Sequence, residues 1–194
     1  MAELAGGALV VTGAGANTIE WVACRPGDGN FRVRTMGLVS SIALGMALGL
    51  PKRKVIAIDG DGSLLMNLPS LPTIARMNPP NLTHIVFDNE AYEASGDINT
   101  ATDAGADLVG LAKAAGIKKA LWANSVEEFK GAVSDALKGN HLSFIGAKIE
   151  LVRAEVPPYP MDEVENKYRF IRHVEQTEKL EILKIPLGAS FLKG

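Results

Sequence analysis

Along this chain, short runs of β-branched and apolar residues alternate with longer stretches in which apolar positions recur every three or four residues. The short runs predict strands buried on both faces, and the longer stretches predict helices packed on one face. Ala8 to Thr12 reads as the first strand, and Gly13-Ala14-Gly15-Ala16-Asn17 is a glycine-rich turn leading into a helix over about Thr18 to Cys24. Arg25 to Asn30 is a loop. Met36 to Leu50 is the most apolar run; it is too short to span a bilayer and predicts a core helix, on which Ala43, Gly45, Ala47 and Gly49 permit close packing.

Val55 to Ile58 predicts the next strand, breaking into the turn Asp59-Gly60-Asp61-Gly62-Ser63. Leu64, Leu65, Leu68, Leu71, Ile74 and Ala75 then recur at helical spacing until Asn78-Pro79-Pro80-Asn81, which cannot continue the pattern. His84 to Phe87 is another buried strand and ends in Asp88-Asn89. In such a βαβ unit the right-handed crossover sets the two carboxyl ends side by side, so Asp61 and Asn89 are expected to converge.

Glu90 to Asp97 and Asn99 to Asp103 read as one long loop. A helix over Asp107 to Ala115, a strand over Lys118 to Trp122, a helix opened by the capping pair Ser125 and Glu128 and ending at Gly139, and a last core strand from Ser143 to Leu151 complete the pattern. Five strands alternating with helices predict an α/β fold, a doubly wound, mainly parallel sheet with helices on both faces. Pro157-Pro158-Tyr159-Pro160 marks a linker, so residues 1–156 are expected to form the domain and 157–194 a C-terminal helix and tail. In that helix Asp162 and Glu165 form a capping box, and Val164, Tyr168, Ile171 and Val174 are expected on the apolar side. Leu180 to Leu192 stays apolar and unplaced, a candidate partner surface.

With 194 residues and 47% hydrophobic content the chain can bury a full core as one domain. A net charge of −2 with scattered Lys and Arg offers no footprint for nucleic acid. The single cysteine, Cys24, excludes an internal disulfide and a cysteine-cluster metal site and fits a reducing compartment. The amino terminus lacks the basic region of a signal peptide, so a cytoplasmic protein with no membrane partner is expected. His84, His141 and His173 have no ligand spacing, and no G-x-S-x-G elbow is present.

The chemistry gathers around residues 59 to 92. Mg2+ takes oxygen ligands, commonly a carboxylate or two plus substrate phosphates. Backbone N–H groups at a glycine turn feeding a helix bind phosphate oxygens. A carboxylate, a carboxamide and such a turn on adjacent strand tips therefore describe a magnesium and diphosphate clamp. Gly60-Asp61-Gly62-Ser63 followed by Asn89 resembles the thiamine diphosphate motif, a G-D-G turn closed by an Asn at the end of the next strand. The resemblance implies thiamine diphosphate and Mg2+ as cofactors, with Asp61, Asn89 and the main-chain carbonyl of Ala91 on the metal. It also makes Thr12 and Gly13, in the first strand's turn, contacts of the diphosphate, although a plain strand-to-helix turn accounts for them equally well. The G-x-G-x-x-G dinucleotide fingerprint fails at Thr18.

Thr35-Met36-Gly37 with Ser40 to Gly45 is similar to the M-G stretch of decarboxylases of this family, and Val164-Glu165-Asn166-Lys167 with Phe170 resembles the tail of sulfopyruvate and phosphonopyruvate decarboxylases. That likeness implies that Met36 wedges between the cofactor's two rings and that the Arg34 carbonyl receives the aminopyrimidine amine. Tyr92 and Ser95, in the loop over the diphosphate, are site candidates or simply surface residues. In the family a second domain binds the pyrimidine and supplies a catalytic glutamate. Only one sheet's worth of sequence is present, so the chain is expected to be one subunit of a split 2-oxo acid decarboxylase, forming a homodimer within a hetero-oligomer with a pyrimidine-binding partner. Arg25, Arg32 and Arg34 are candidates to meet an anionic substrate tail. Ser95-Gly96-Asp97 replaces the family's G-G-Q, which leaves the 2-oxo acid open. An oxidoreductase β subunit, for which the cluster cysteines are lacking, an acetolactate synthase-like subunit and a non-catalytic scaffold are the alternatives.

Overall fold

In the computed structural model, which describes residues 1–183, the elements follow in the order β1 (Leu9–Thr12), α1 (Ala16–Cys24), β2 (Asn30–Arg32), α2 (Val39–Gly49), β3 (Val55–Gly60), α3 (Asp61–Leu65), α4 (Ser70–Met77) and β4 (Leu82–Asp88). A small hairpin of β5 (Ala91–Tyr92) and β6 (Ile98–Asn99) comes next, then α5 (Leu108–Ala114), β7 (Lys119–Ala123), α6 (Val126–Lys138), β8 (Ser143–Lys148) and α7 (Glu163–Glu178). Six strands form one sheet in the order β2-β1-β3-β4-β8-β7, and every pairing in it is parallel. Of the apolar stretch Leu180 to Leu192, the part beyond Leu183 lies outside the described residues.

The alternation of strand side chains divides the core into two layers. Val55 and Ala57 face α2, α4 and α5, meeting Ala43, Leu71 and Val109. Ile56 and Ile58 face α1 and α6, meeting Trp21, Val133 and Ala136. Each fully buried Val, Leu or Ile contributes about 1.5–3 kcal/mol. Two such layers, rather than any single contact, therefore hold the parallel sheet together.

Several elements differ from expectation, among them the β5–β6 hairpin inside the expected loop over 90–103. Asn30–Arg32 adds a sixth, edge strand, too short to show a period of two. Helix α2 begins at Val39, since Gly37 has a φ of 82° that a helix cannot continue. The predicted helix over 64–75 is two helices, because Pro69 has no N–H to continue the first, and Asn67 instead turns its amide to the Gly37 carbonyl at 2.7 Å. The last strand stops at Lys148, and the chain from Ile149 leaves the sheet.

Of the residues expected on the apolar side of helix α7, Val174 is buried but Val164 and Tyr168 are exposed. Asn166 and Phe170 are buried with Val174. Asn166 decides this. Its Nδ2 donates to the Asn30 carbonyl at 2.9 Å and its Oδ1 accepts from the Arg32 N–H at 2.8 Å, so one carboxamide closes the edge of β2 as a further strand would. Phe170 and Val174 lie four and eight residues on and share that face, where the Phe170 ring packs on Phe31 tilted by 43°, centroids 5.1 Å apart. Val164 and Tyr168 stand two residues away, nearly half a turn round. Both N-caps form, Ser125 Oγ accepting from Glu128 N and Asp162 Oδ1 from Glu165 N, but neither box closes: Glu128 Oε2 accepts from Asn124 N instead, and Glu165 pairs with Arg169.

Candidate functional site

The chain starts beside one sheet edge, steps outward to β2 and returns to β3, so the winding reverses between β1 and β3. Open α/β sheets bind ligands in the crevice outside the carboxyl ends at such a reversal. A cavity of about 420 Å3 opens there. Its walls are the turn Ala14 to Asn17 after β1, Met36, the segment Gly60 to Ser63 after β3, the loop from Asn89 to Ala94 after β4, and Ile149, Glu150 and Val152 after β8.

The register of β3 on β4 pairs Gly60 with Phe87, which places Asp61 and Asn89 just past the tips of adjacent strands, as the crossover argument requires. Asp61 is the first residue of α3 and only 2% exposed. Its Oδ2 accepts from Thr100 Oγ1 at 2.6 Å, with Thr102 Oγ1 at 3.3 Å. Among the described residues no Lys, Arg or His forms an ion pair with it. Burial raises its pKa and the nearby Asp88 charge adds to the rise, while the Thr100 hydrogen bond opposes it. Asn89 Oδ1 accepts from the Ala91 N–H at 3.1 Å, an Asx turn that fixes the carboxamide where the chain reverses into β5.

Two further contacts shape the walls. A Cβ on Gly62 would lie 2.5 Å from Tyr92 Cδ1, so this position is glycine because the Tyr92 ring packs directly on its backbone. Ser63 Oγ accepts from the Gly37 N–H at 3.0 Å and thereby fastens the turn carrying Met36 to α3.

Of the residues expected at the site, Met36, Gly60, Asp61, Gly62, Ser63, Asn89, Ala91 and Tyr92 line this one cavity. Thr12 and Gly13 do not. Thr12 is the buried last residue of β1, and Gly13 packs toward Val39 and Asp59, so the chain reaches the cavity only from Ala14 onward. Arg34 is also outside the wall, with its guanidinium exposed and paired with Glu163 at 3.3 Å. Arg25, bonded to Gly6 and Ala8 carbonyls, and Arg32, lying over the Tyr159 ring, are occupied elsewhere as well. Ser95 is not among the lining residues.

Several wall residues have no signature in the sequence. Glu20, Trp21 and Cys24 face the cavity from α1, a consequence of how the helix is rotated. Residues 149–154 form a strap across it, since Arg153 donates to Glu93 Oε1 at 2.6 Å and Asp97 Oδ1 at 2.9 Å, while the Ala154 N–H donates to Glu20 Oε1 at 3.0 Å. The apolar positions Ile149 and Leu151 continue the alternation of the strand and conceal this. The ionisable side chains on the described wall are Glu20, Asp61, Glu93 and Glu150, besides Tyr92 and Cys24, with no basic residue among them.

Among the described residues no cluster of three or more His, Cys, Asp or Glu could hold a metal ion. The oxygen donors at the sheet edge are of another kind: one buried carboxylate, one carboxamide and the main chain at Ala91. A doubly wound sheet with a glycine turn and this donor set at its reversal point belongs to the class of α/β domains that bind phosphorylated cofactors. Residues 28–147 match the family of thiamine pyrophosphate enzymes, C-terminal TPP binding domain, and the chain belongs to that family. It is 36% identical over 175 residues to the sulfopyruvate decarboxylase subunit beta of Methanocaldococcus jannaschii, covering 87% of this chain and 89% of that one. It is 40% identical to the sulfopyruvate decarboxylase of Methanosarcina acetivorans, where it covers 84% of this chain but 42% of the relative. The structure of 4-hydroxybenzoylformate decarboxylase from Rhodococcus jostii RHA1 superposes with a TM-score of 0.65 at 20% identity over 79% of this chain and 32% of that one, which establishes a shared fold.

Proposed function

We propose that this chain is the diphosphate-binding subunit of a thiamine diphosphate-dependent 2-oxo acid decarboxylase, completed by a separate pyrimidine-binding subunit that supplies the catalytic glutamate. The observation that carries this is the meeting of Asp61, Asn89 and Ala91 with the Gly60-Gly62 turn in one cavity at the sheet's reversal point. Carboxylate, carboxamide and carbonyl oxygens suit Mg2+, which completes its shell with phosphate oxygens and water. In this role Asp61 would supply the charge, Asn89 and Ala91 would supply neutral oxygens, and the N–H groups opening α1 and α3 would bind phosphate oxygens.

Thiamine diphosphate, when bound, supplies a carbanion and an electron sink for loss of CO2. The chain's own contribution is to anchor and orient. Met36 stands on the wall as a soft apolar support for the ring system, and Tyr92 seals the glycine turn. Glu93 is held by Arg153, which leaves it poorly placed to serve as the proton donor to the cofactor. The relatives named sulfopyruvate decarboxylase support a 2-oxo acid with a second anionic group as substrate. With no basic side chain on this wall, the partner subunit is the source of the cation that reads that group. The relation to Methanosarcina acetivorans fits the same division of labour, because this chain corresponds to less than half of that polypeptide.

The test is reconstitution. The isolated chain is expected to show negligible decarboxylation with thiamine diphosphate and Mg2+, and activity on sulfopyruvate or phosphonopyruvate should appear when a pyrimidine-binding subunit is added. Robust turnover by this polypeptide alone, unaffected by the second subunit, would rule the proposal out.

A further inference from the structure

Thr100 is bonded to both halves of the site. Its backbone N–H donates to the Glu90 carbonyl at 2.9 Å, between Asn89 and Ala91, and its hydroxyl donates to Asp61 Oδ2 at 2.6 Å. Beside it, Thr102 Oγ1 lies 2.7 Å from Asp88 Oδ1, 2.8 Å from Thr100 Oγ1 and 3.3 Å from Asp61 Oδ2. Each hydroxyl has one proton to give. The two shortest contacts run to carboxylates, where hydrogen bonds are strongest, and so assign the Thr100 proton to Asp61 and the Thr102 proton to Asp88. Asp88 is itself fixed. It is fully buried, its Oδ1 accepts from Glu90 N at 3.1 Å and its Oδ2 lies 3.0 Å from Lys148 Nζ. Thr102 is thus pinned by an immobile acceptor, and its oxygen limits where the Thr100 hydroxyl can turn.

We propose that Thr100 is a positioning residue for a divalent cation. It ties one oxygen of Asp61, leaving the other to meet the cation, and through Glu90 it fixes the spacing between Asp61 and the turn of Asn89 and Ala91. A hydroxyl suits this role where a lysine would not, because it orients the carboxylate without cancelling the charge that draws the cation. Thr102, Asp88 and Lys148 hold Thr100 in turn. The inference rests on the reading of Asp61, Asn89 and Ala91 as the cation's ligands.

Mn2+ serves as the probe, its binding followed by the paramagnetic resonance signal of the free ion with thiamine diphosphate and the complementary subunit present. Residues that orient a metal's ligands typically carry about 10–100-fold in affinity, and Thr100→Val is expected to raise the Mn2+ dissociation constant by that factor. Turnover at saturating Mn2+ should stay within about threefold of the unaltered enzyme, since the ligands remain. Thr100→Ser, which keeps the hydroxyl, should restore the affinity. If Thr100→Val does not fold, Thr100→Ala is measured in its place. Unchanged affinity in the variant lacking the hydroxyl, or an equal loss in the serine variant, would overturn the inference. Asp61→Asn separates the two levels. If it leaves Mn2+ binding intact, the assignment of the cation's ligands fails; if it abolishes binding while Thr100→Val does not, only the role of Thr100 falls.

Discussion

Asp61 is a carboxylate that the fold removes from water without giving it a cationic partner. Ionised, it opposes folding, and its raised pKa records that opposition. Asp61→Asn is accordingly expected to raise the melting temperature of the cation-free chain by a few degrees at neutral pH, while removing any further rise produced by Mg2+ with thiamine diphosphate. A lower melting temperature in the cation-free variant would show that the carboxylate is already compensated. The convergence of Asp61 and Asn89 was legible in the sequence because each follows a buried strand directly, and parallel register carries the two tips together. Thr100 was not. It sits in a long polar loop where nothing in the residues distinguishes a buried threonine from a solvated one, and only the β5–β6 hairpin folding back over Gly62 brings it to Asp61.

Among the elements, β2 and α7 depend on each other through Asn166. Replacing Asn166 with alanine removes two bonds to the strand edge and is expected to destabilise the chain by about 1–3 kcal/mol in urea unfolding. An Asp at the same position keeps an acceptor for Arg32 N but none of the donor for the Asn30 carbonyl, so it should recover only part of the loss. On α7, apolar spacing alone puts Val164 and Tyr168 with Val174, whereas the polar pairing of a single carboxamide fixes a rotation that buries only Val174 of these three.

Helix α5 carries a pH signal. Asp107 precedes it with its carboxylate beside the Gly110 amide and accepting from Trp122 Nε1 at 2.8 Å, and these bonds, the Gly110 amide foremost, hold its pKa below the ordinary value. A lowered carboxylate pKa favours the fold above the unfolded value of about 4 and loses that contribution as pH falls through the lowered folded value. Asp107→Asn should therefore be less stable than the unaltered chain at neutral pH, and the gap should close in acid. A gap independent of pH would contradict this.

At the scale of the molecule, the parallel sheet and its two helical layers were legible from strand and helix periods, since strands buried on both faces have few other arrangements. The sixth strand and the strap over 149–154 were not, because three residues show no period and the alternating Ile149 and Leu151 do not reveal where pairing ends. The rim of the cavity bears an apolar residue that the chain itself leaves uncovered, Val152 at 70% exposure. Val152→Asp is expected to shift melting of the isolated chain by no more than about 1–2 °C. It should weaken association with the pyrimidine-binding subunit, measured by sedimentation of the mixture; association equal to that of the unaltered chain would place the contact elsewhere.

The acidic wall has a kinetic consequence. Glu20, Asp61 and Glu150, with Glu93 already paired to Arg153, face a space shaped for a ligand that is itself an anion. A diphosphate arriving bare meets repulsion of its own sign, whereas the same molecule already chelated to a divalent ion arrives with most of its charge cancelled. Capture is then ordered by charge: the ion enters first or as escort. Simple salt, by shortening the reach of the field to about 8 Å at physiological strength, lowers the barrier to the bare form and weakens the pull on the ion.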